Sequence, residues 1–145
     1  DKSPARFRIM VVAGRNARLK EKLESMQFGH ETKIFGFVDF MDVLLAATDV
    51  VVSKSGGLTV SESMAKGVPM AVVNPIPGQE EANCDFLLEA GAAVKVNYIE
   101  SIGQKVGSLL GDPARLNRMS KNARAVGRPS SSLVIAREII RRFSL

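Results

Sequence analysis

The sequence predicts an α/β fold, a Rossmann-like parallel sheet with helices on both faces. Up to Val96, five short apolar runs alternate with segments of helical periodicity, and that alternation is the sequence form of a parallel sheet with helical crossovers. The runs are nearly continuous, Ile9-Met10-Val11-Val12 and Val50-Val51-Val52 being the plainest, as strands covered on both faces must be. Glycines at 14, 67 and 91 stand where one kind of pattern gives way to the other.

Taken in order, residues 7–13 form the first strand, closed by Gly14. Asn16 can cap the helix that follows. Leu19 and Leu23 fall one turn apart on its inner side, with Arg18, Lys20, Glu21 and Lys22 outside. Residues 33–37 are the second strand, and Asp39 can cap a small helix carrying Met41, Leu44 and Leu45. Val50, Val51 and Val52 are the third strand. Residues 57–66 are helical, with Gly67 in the left-handed cap position and Pro69 two residues later. Residues 70–73 return as a strand. The spacing then predicts a helix over 79–90 with Ala82, Phe86 and Leu87 on its inner face, stopped by Gly91, and a last strand over 92–96. Three helices finish the chain. In the middle one Leu116, Met119, Ala123 and Val126 recur at helical spacing, which turns its basic residues outward. A Pro/Ser turn at 128–132 follows, and no internal repeat or low-complexity segment is present.

At 145 residues, 46% hydrophobic and 24% charged, the chain has the balance of one globular domain with its own core. No stretch approaches the roughly 18 uninterrupted apolar residues of a membrane span, and no signal-peptide pattern opens the chain, so a soluble, cytosolic domain is expected. The lone Cys84 excludes an internal disulfide, and the lone His30 has no partner at metal-ligand spacing, so no metal site is expected. The net charge is +5, and from residue 115 onward Arg115, Arg118, Lys121, Arg124, Arg128, Arg137, Arg141 and Arg142 face the single acid Glu138. Such a region fits a solvated helix face, nucleic acid or an anionic lipid surface. Nucleic acid ranks last, since no aromatic residue is interleaved with these arginines until Phe143.

The chemistry concentrates in two motifs. Ser53-Lys54-Ser55-Gly56-Gly57-Leu58-Thr59-Val60-Ser61-Glu62 runs from a valine strand into a helix start. Free N–H groups of a first helical turn, approached closely over two glycines, can cradle a diphosphate within the helix-dipole field. Thr59 can add a hydroxyl, and Glu62, one turn in, can accept from the two hydroxyls of a ribose. The same residues also fit a capping box, in which Thr59 and Glu62 satisfy each other's backbone donors and bind nothing. The motif is neither a P-loop, because Lys54 precedes the glycines, nor a GxGxxG fingerprint.

The second motif, Asn74-Pro75-Ile76-Pro77-Gly78-Gln79-Glu80-Glu81-Ala82-Asn83, follows the next strand, at the edge where open parallel sheets bind ligands. Gln79, Glu80 and Asn83 supply the directional polar groups that a hexose requires. Glu80 and Glu81 equally suit the helix dipole at a first turn. Two smaller signals lie on the same edge. Phe37 can pack against a flat base while the backbone of Val38 pairs with its polar rim, though Phe37 also suits a core. Arg15, after the first strand, can meet phosphate or base, or simply water.

Together and in this order, these motifs resemble the C-terminal domain of the glycosyltransferases that include monogalactosyldiacylglycerol synthases and bacterial diacylglycerol glucosyltransferases. The N-acetylglucosaminyl transferase of peptidoglycan synthesis is more distantly similar. The resemblance runs from about Ile9 to Val96 and rests on Gly-Arg-Asn at 14–16, Gly-Phe-Val at 36–38, Lys-Ser-Gly-Gly-Leu-Thr-Val-Ser-Glu at 54–62 and Pro-Gly-Gln-Glu at 77–80. It implies the C-terminal half of a GT-B glycosyltransferase, residues 1–145 being one nucleotide-sugar donor-binding domain whose partner N-terminal acceptor domain lies outside this chain. By that resemblance Phe37 and Val38 would hold the uracil, Ser55, Gly56, Gly57, Leu58 and Thr59 the diphosphate, Glu62 the ribose, and Gln79 with Glu80 the hexose, while Arg15 and Asn83 join the nucleotide and sugar sites on the reading of the residues alone.

The implied reaction is inverting hexosyl transfer from a UDP-sugar to a lipid acceptor such as diacylglycerol. It would need no cofactor and no metal, and the catalytic base would come from the N-terminal domain. The basic C-terminal helices fit a cytoplasmic enzyme peripheral at the inner face of the membrane, and this chain alone is expected to bind UDP or UDP-sugar weakly and to transfer nothing. A UDP-sugar epimerase of the same architecture would need proton-moving groups at the sugar, for which the sequence offers only Glu80 and Glu81. A non-catalytic nucleotide-binding regulatory domain is the other alternative, because fold alone never determines function.

Overall fold

In the computed structural model, residues 7–143 are described. Strands β1 (Ile9–Val12), β2 (Thr32–Phe35), β3 (Val51–Ser53), β4 (Met70–Val73) and β5 (Ala93–Val96) alternate with helices α1 (Ala17–Glu24), α2 (Met41–Ala46), α3 (Gly57–Lys66) and α4 (Gln79–Glu89). A single 3-10 turn (Ile99–Ser101) leads into α5 (Ile102–Leu110), α6 (Pro113–Val126) and α7 (Ser131–Phe143). All strand pairs are parallel, as the nearly continuous apolar runs require. The sheet is not one ladder, however. β1 pairs with β2, and β3, β4 and β5 pair in that order, with no ladder joining the two groups among the described residues.

The core belongs to the second group. Register sets Val51, Met70 and Ala93 side by side on one face, because parallel partners share a face and successive residues alternate. Onto that face pack Val60 and Met64 of α3, Cys84 and Leu87 of α4 and Ala123 of α6. Burial pushes the Cys84 thiol up from its ordinary value, with Lys95 opposing the shift. No described residue before Leu45 is buried, and α1 in particular has none. Leu19, expected inside, is exposed on α1, which packs against β2.

Helix α6 holds the C-terminal ends of two other helices. Gly67, left-handed at φ +72°, ends α3, and its carbonyl accepts from the Ser120 hydroxyl at 2.7 Å. The carbonyl of Gly91, just past α4, accepts from the Asn122 amide at 3.2 Å. At Gly127 the chain passes so close to α3 that a Cβ there would overlap the Met64 carbonyl, whose carbon would lie 2.7 Å away. Met119 and Ala123 are buried while Arg115, Arg118, Lys121 and Arg124 are exposed, as the spacing predicts.

Three local expectations fail. The cap position of α2 is Phe40, without a side-chain hydrogen bond, so Asp39 stands one residue too early to serve. The inner face of α4 is made by Cys84 and Leu87, whereas Ala82 and Phe86 are exposed. Asn83, next to buried Cys84, donates to the Ser55 carbonyl, so that side of α4 meets the loop before α3. Phe37 falls beyond the end of β2, whose ladder stops at Phe35.

Candidate functional site

Each predicted site loop leaves the carboxyl end of a strand. After β3 the chain turns through Lys54 to Gly56 and enters α3 at Gly57. Gly56 occupies the cap position with no side chain to offer, and the first helical hydrogen bond runs from Val60 N–H to its carbonyl at 2.9 Å. The N–H groups of Gly57, Leu58 and Thr59 therefore have no acceptor among the described residues. Three outward donors at the positive end of a ten-residue helix can cradle an anion.

The capping-box alternative does not survive, because Thr59 lies inside the helix and not at its cap. Glu62 is exposed, and its carboxylate has no hydrogen bond or ion pair among the described residues. Leu58, beside these donors, is 81% exposed.

The loop after β4 begins at Asn74, which holds a left-handed φ of +40°, a conformation uncommon outside glycine and often found at functional edges. It ends at Gly78, the cap residue of α4. Ile76 N–H donates to Glu80 Oε2 at 2.7 Å, so one oxygen of this carboxylate is engaged in holding the loop. The Gln79 side-chain nitrogen sits over Gly57, 3.8 Å from where a Cβ would be, which places the second loop directly beside the anion cradle.

Ser55 and Asn83 meet between these loops. The Ser55 hydroxyl, fully buried, donates to the Glu80 carbonyl at 2.6 Å. The Asn83 amide donates in the other direction, to the Ser55 carbonyl at 2.8 Å. Ser55 therefore presents no hydroxyl to a ligand, while the Asn83 amide keeps its oxygen and one N–H uncommitted. This pairing is absent from any sequence pattern, since its members stand 25 and 28 residues apart.

The loops after β1 and β2 bring Arg15 and Phe37 together. The guanidinium lies over the ring, 5.1 Å from its centroid, within cation–π range. Phe37 is 65% exposed and not a core residue, and Arg15 is stacked and not simply solvated. Val38 is half-buried beside it, and Glu81 is exposed. Among the described residues no group of three His, Cys, Asp or Glu side chains could hold a metal ion, and no helix is long and apolar enough to cross a membrane. A cavity of about 300 Å³ lined by Val94, Ser101, Lys105, Leu109 and Arg115 shares no residue with these loops.

Residues 7–126 match the family model described as glycosyl transferases group 1. The processive diacylglycerol beta-glucosyltransferase of Bacillus subtilis (strain 168) is 40% identical over 135 residues, covering 92% of this chain and 35% of that protein. Its counterpart in Bacillus pumilus (strain SAFR-032) is 37% identical, covering 94% and 36%. The chain thus spans about a third of the length of the curated relatives it matches. Among solved structures, MurG of Acinetobacter baumannii superposes with a TM-score of 0.70 at 19% identity, over 97% of this chain and 51% of that one. VinC, a glycosyltransferase solved in complex with DTDP, superposes with 0.65 at 17% identity, over 97% and 43%. The fold shared with these two is the Rossmann-like half of a GT-B glycosyltransferase.

Proposed function

Because the chain belongs to the group 1 glycosyl transferases, we propose that it is the donor-binding domain of an inverting enzyme that moves a hexose from a UDP-sugar to a lipid acceptor such as diacylglycerol. The observation that carries this reading is the uncapped N-terminus of α3, with three free N–H groups, Glu62 one turn away and the Gln79 amide beside Gly57. Gly56, Gly57, Leu58 and Thr59 take the diphosphate, and Ser55 contributes to that turn through its backbone. Glu62 accepts from the ribose hydroxyls, Arg15 and Phe37 hold the uracil with the Val38 backbone, and Gln79 and Glu80 meet the hexose. The hexose is glucose if this chain follows its relatives, which are named as beta-glucosyltransferases acting on diacylglycerol.

Chemically, charge grows on the departing diphosphate, and preorganised donors at that place lower the barrier. The α3 N–H groups meet the charge, so in this reading the reaction draws on no metal or cofactor. Glu80 in this reading holds the loop through one oxygen, which accepts from the Ile76 N–H, and meets the sugar, and it is not the base for the acceptor hydroxyl. The base and the acceptor groove belong to a further, N-terminal domain of the enzyme. The exposed basic face of α6, with Arg115, Arg118, Lys121 and Arg124, supports a peripheral place on the inner face of the cytoplasmic membrane.

Titration of UDP, with ADP for comparison, tests the donor reading by calorimetry. UDP should bind saturably, and Glu62→Ala should weaken it about 10- to 100-fold, the loss of charge-assisted hydrogen bonds of roughly 1.5–3 kcal/mol. Equal binding of UDP and ADP, or an unchanged Glu62→Ala variant, would overturn the assignment.

A further inference from the structure

The two loops of the site are tied together by hydrogen bonds that run in opposite directions. Ser55 precedes α3 and donates its hydroxyl to the Glu80 carbonyl in the first turn of α4, at 2.6 Å. Asn83, one turn into α4, donates its amide to the Ser55 carbonyl at 2.8 Å. Glu80 then extends the tie to the loop 74–78 through Ile76 N–H, at 2.7 Å. Ser55 is fully buried and cannot be reached by a ligand. A buried hydroxyl and a half-buried amide joined in this way fix the two helix N-termini relative to each other.

We propose that Ser55 and Asn83 are positioning residues that set the spacing between the diphosphate cradle on α3 and the hexose loop on α4. The proposal rests on the donor reading above for its ligand, though not for its geometry. In a nucleoside diphosphate sugar the phosphate and the hexose are covalently joined, so their separation is set by the ligand. A site whose two halves are already held at that separation binds the whole donor without an ordering cost, whereas a loosened pair still accepts the nucleotide alone.

Two variants separate this role from direct contact with the sugar. Asn83→Asp keeps an oxygen able to accept from a hexose hydroxyl but loses the donor to Ser55. Ser55→Ala removes only a hydroxyl that no ligand can touch. With UDP and UDP-glucose as probes in calorimetry, both variants should lose about 10-fold or more affinity for UDP-glucose relative to any loss for UDP. Full retention of UDP-glucose affinity in Asn83→Asp would show instead that the residue meets the sugar through its oxygen. An equal loss for both probes in Ser55→Ala would reduce the pair to fold support.

Amide exchange without any nucleotide gives an independent measure. The amides of Val60 and Ala82, bonded to Gly56 and Gly78 respectively, should both exchange about 10-fold faster in each variant, while β4 amides stay protected. Unchanged protection would overturn the proposal. Should the parent chain bind neither probe, the donor reading falls, and amide exchange still decides whether the tie exists.

Discussion

At the scale of single residues, the site depends on side chains that are missing as much as on those present. Gly57 occupies the first position of α3, and the nearest atom to a methyl added there would be the Gln79 amide nitrogen at 3.8 Å, an ordinary contact. Alanine favours a helix interior over glycine, so Gly57→Ala should leave the melting temperature unchanged or raised. The methyl would stand in the path of a phosphate, and UDP affinity should fall by about 10-fold or more, roughly one to two kcal/mol of misplaced charge-assisted bonds. A calorimetric titration beside a thermal melt reads both effects. Loss of stability together with affinity would mean that the glycine serves the fold and not the ligand.

The residue scale is also where a sequence is least complete as a guide. Glycines 56 and 57, Glu62 and Gln79 are legible because they stand at fixed offsets from a helix start. The capping box is equally legible from Thr59 and Glu62, and only the observed start at Gly57 removes it. The roles of Ser55 and Asn83 are not legible, since a hydrogen bond between residues 28 apart leaves no local spacing to read.

Among elements, α6 decides how firmly α3 is held. Ser120 and Asn122 satisfy the carbonyls that follow α3 and α4, and Gly127 allows the backbone of α6 to meet that of α3. Backbone atoms cannot swing away as a flexible side chain can, so Gly127→Ala must part the two helices. The expected cost is about 1–3 kcal/mol, the usual range for overpacking, visible as a lower denaturation midpoint in urea. An unchanged midpoint would show that the crossing relaxes without loss.

Helix α6 is legible from Leu116, Met119, Ala123 and Val126, because a long amphipathic helix carries its own period. Shorter elements carry less information. In α4 the apolar residues Phe86 and Leu88 are exposed alongside buried Cys84 and Leu87, and no single stripe distinguishes the inner face.

For the whole molecule, the order of strands and helices follows from alternation alone, whereas the division of the sheet does not. Pairing between β1 and β3 is a property of distance, and no residue pattern reports it. The charge distribution belongs to this scale as well. The basic residues of α6 are exposed as a group, and such clusters gain about 1 kcal/mol per cation near an anionic bilayer. Vesicles containing anionic lipid should therefore co-sediment the chain more than neutral vesicles do, with the difference lost in high salt. Equal sedimentation with both would assign the cluster to water.

The gap between the β1–β2 ladder and the β3–β4–β5 ladder bears on how the molecule melts. Arg15 and Phe37 stand on the part with no buried side chain among the described residues, and the α3 cradle stands on the part that owns the core. Such a division favours a heat-capacity trace with two maxima, the thinner part coming apart first. A nucleotide gripped from both parts would act as the missing seam, stabilising the weaker one by mass action. Scanning calorimetry with saturating UDP should then show the early maximum rising to join the later one, so that the ligand makes the domain cooperative.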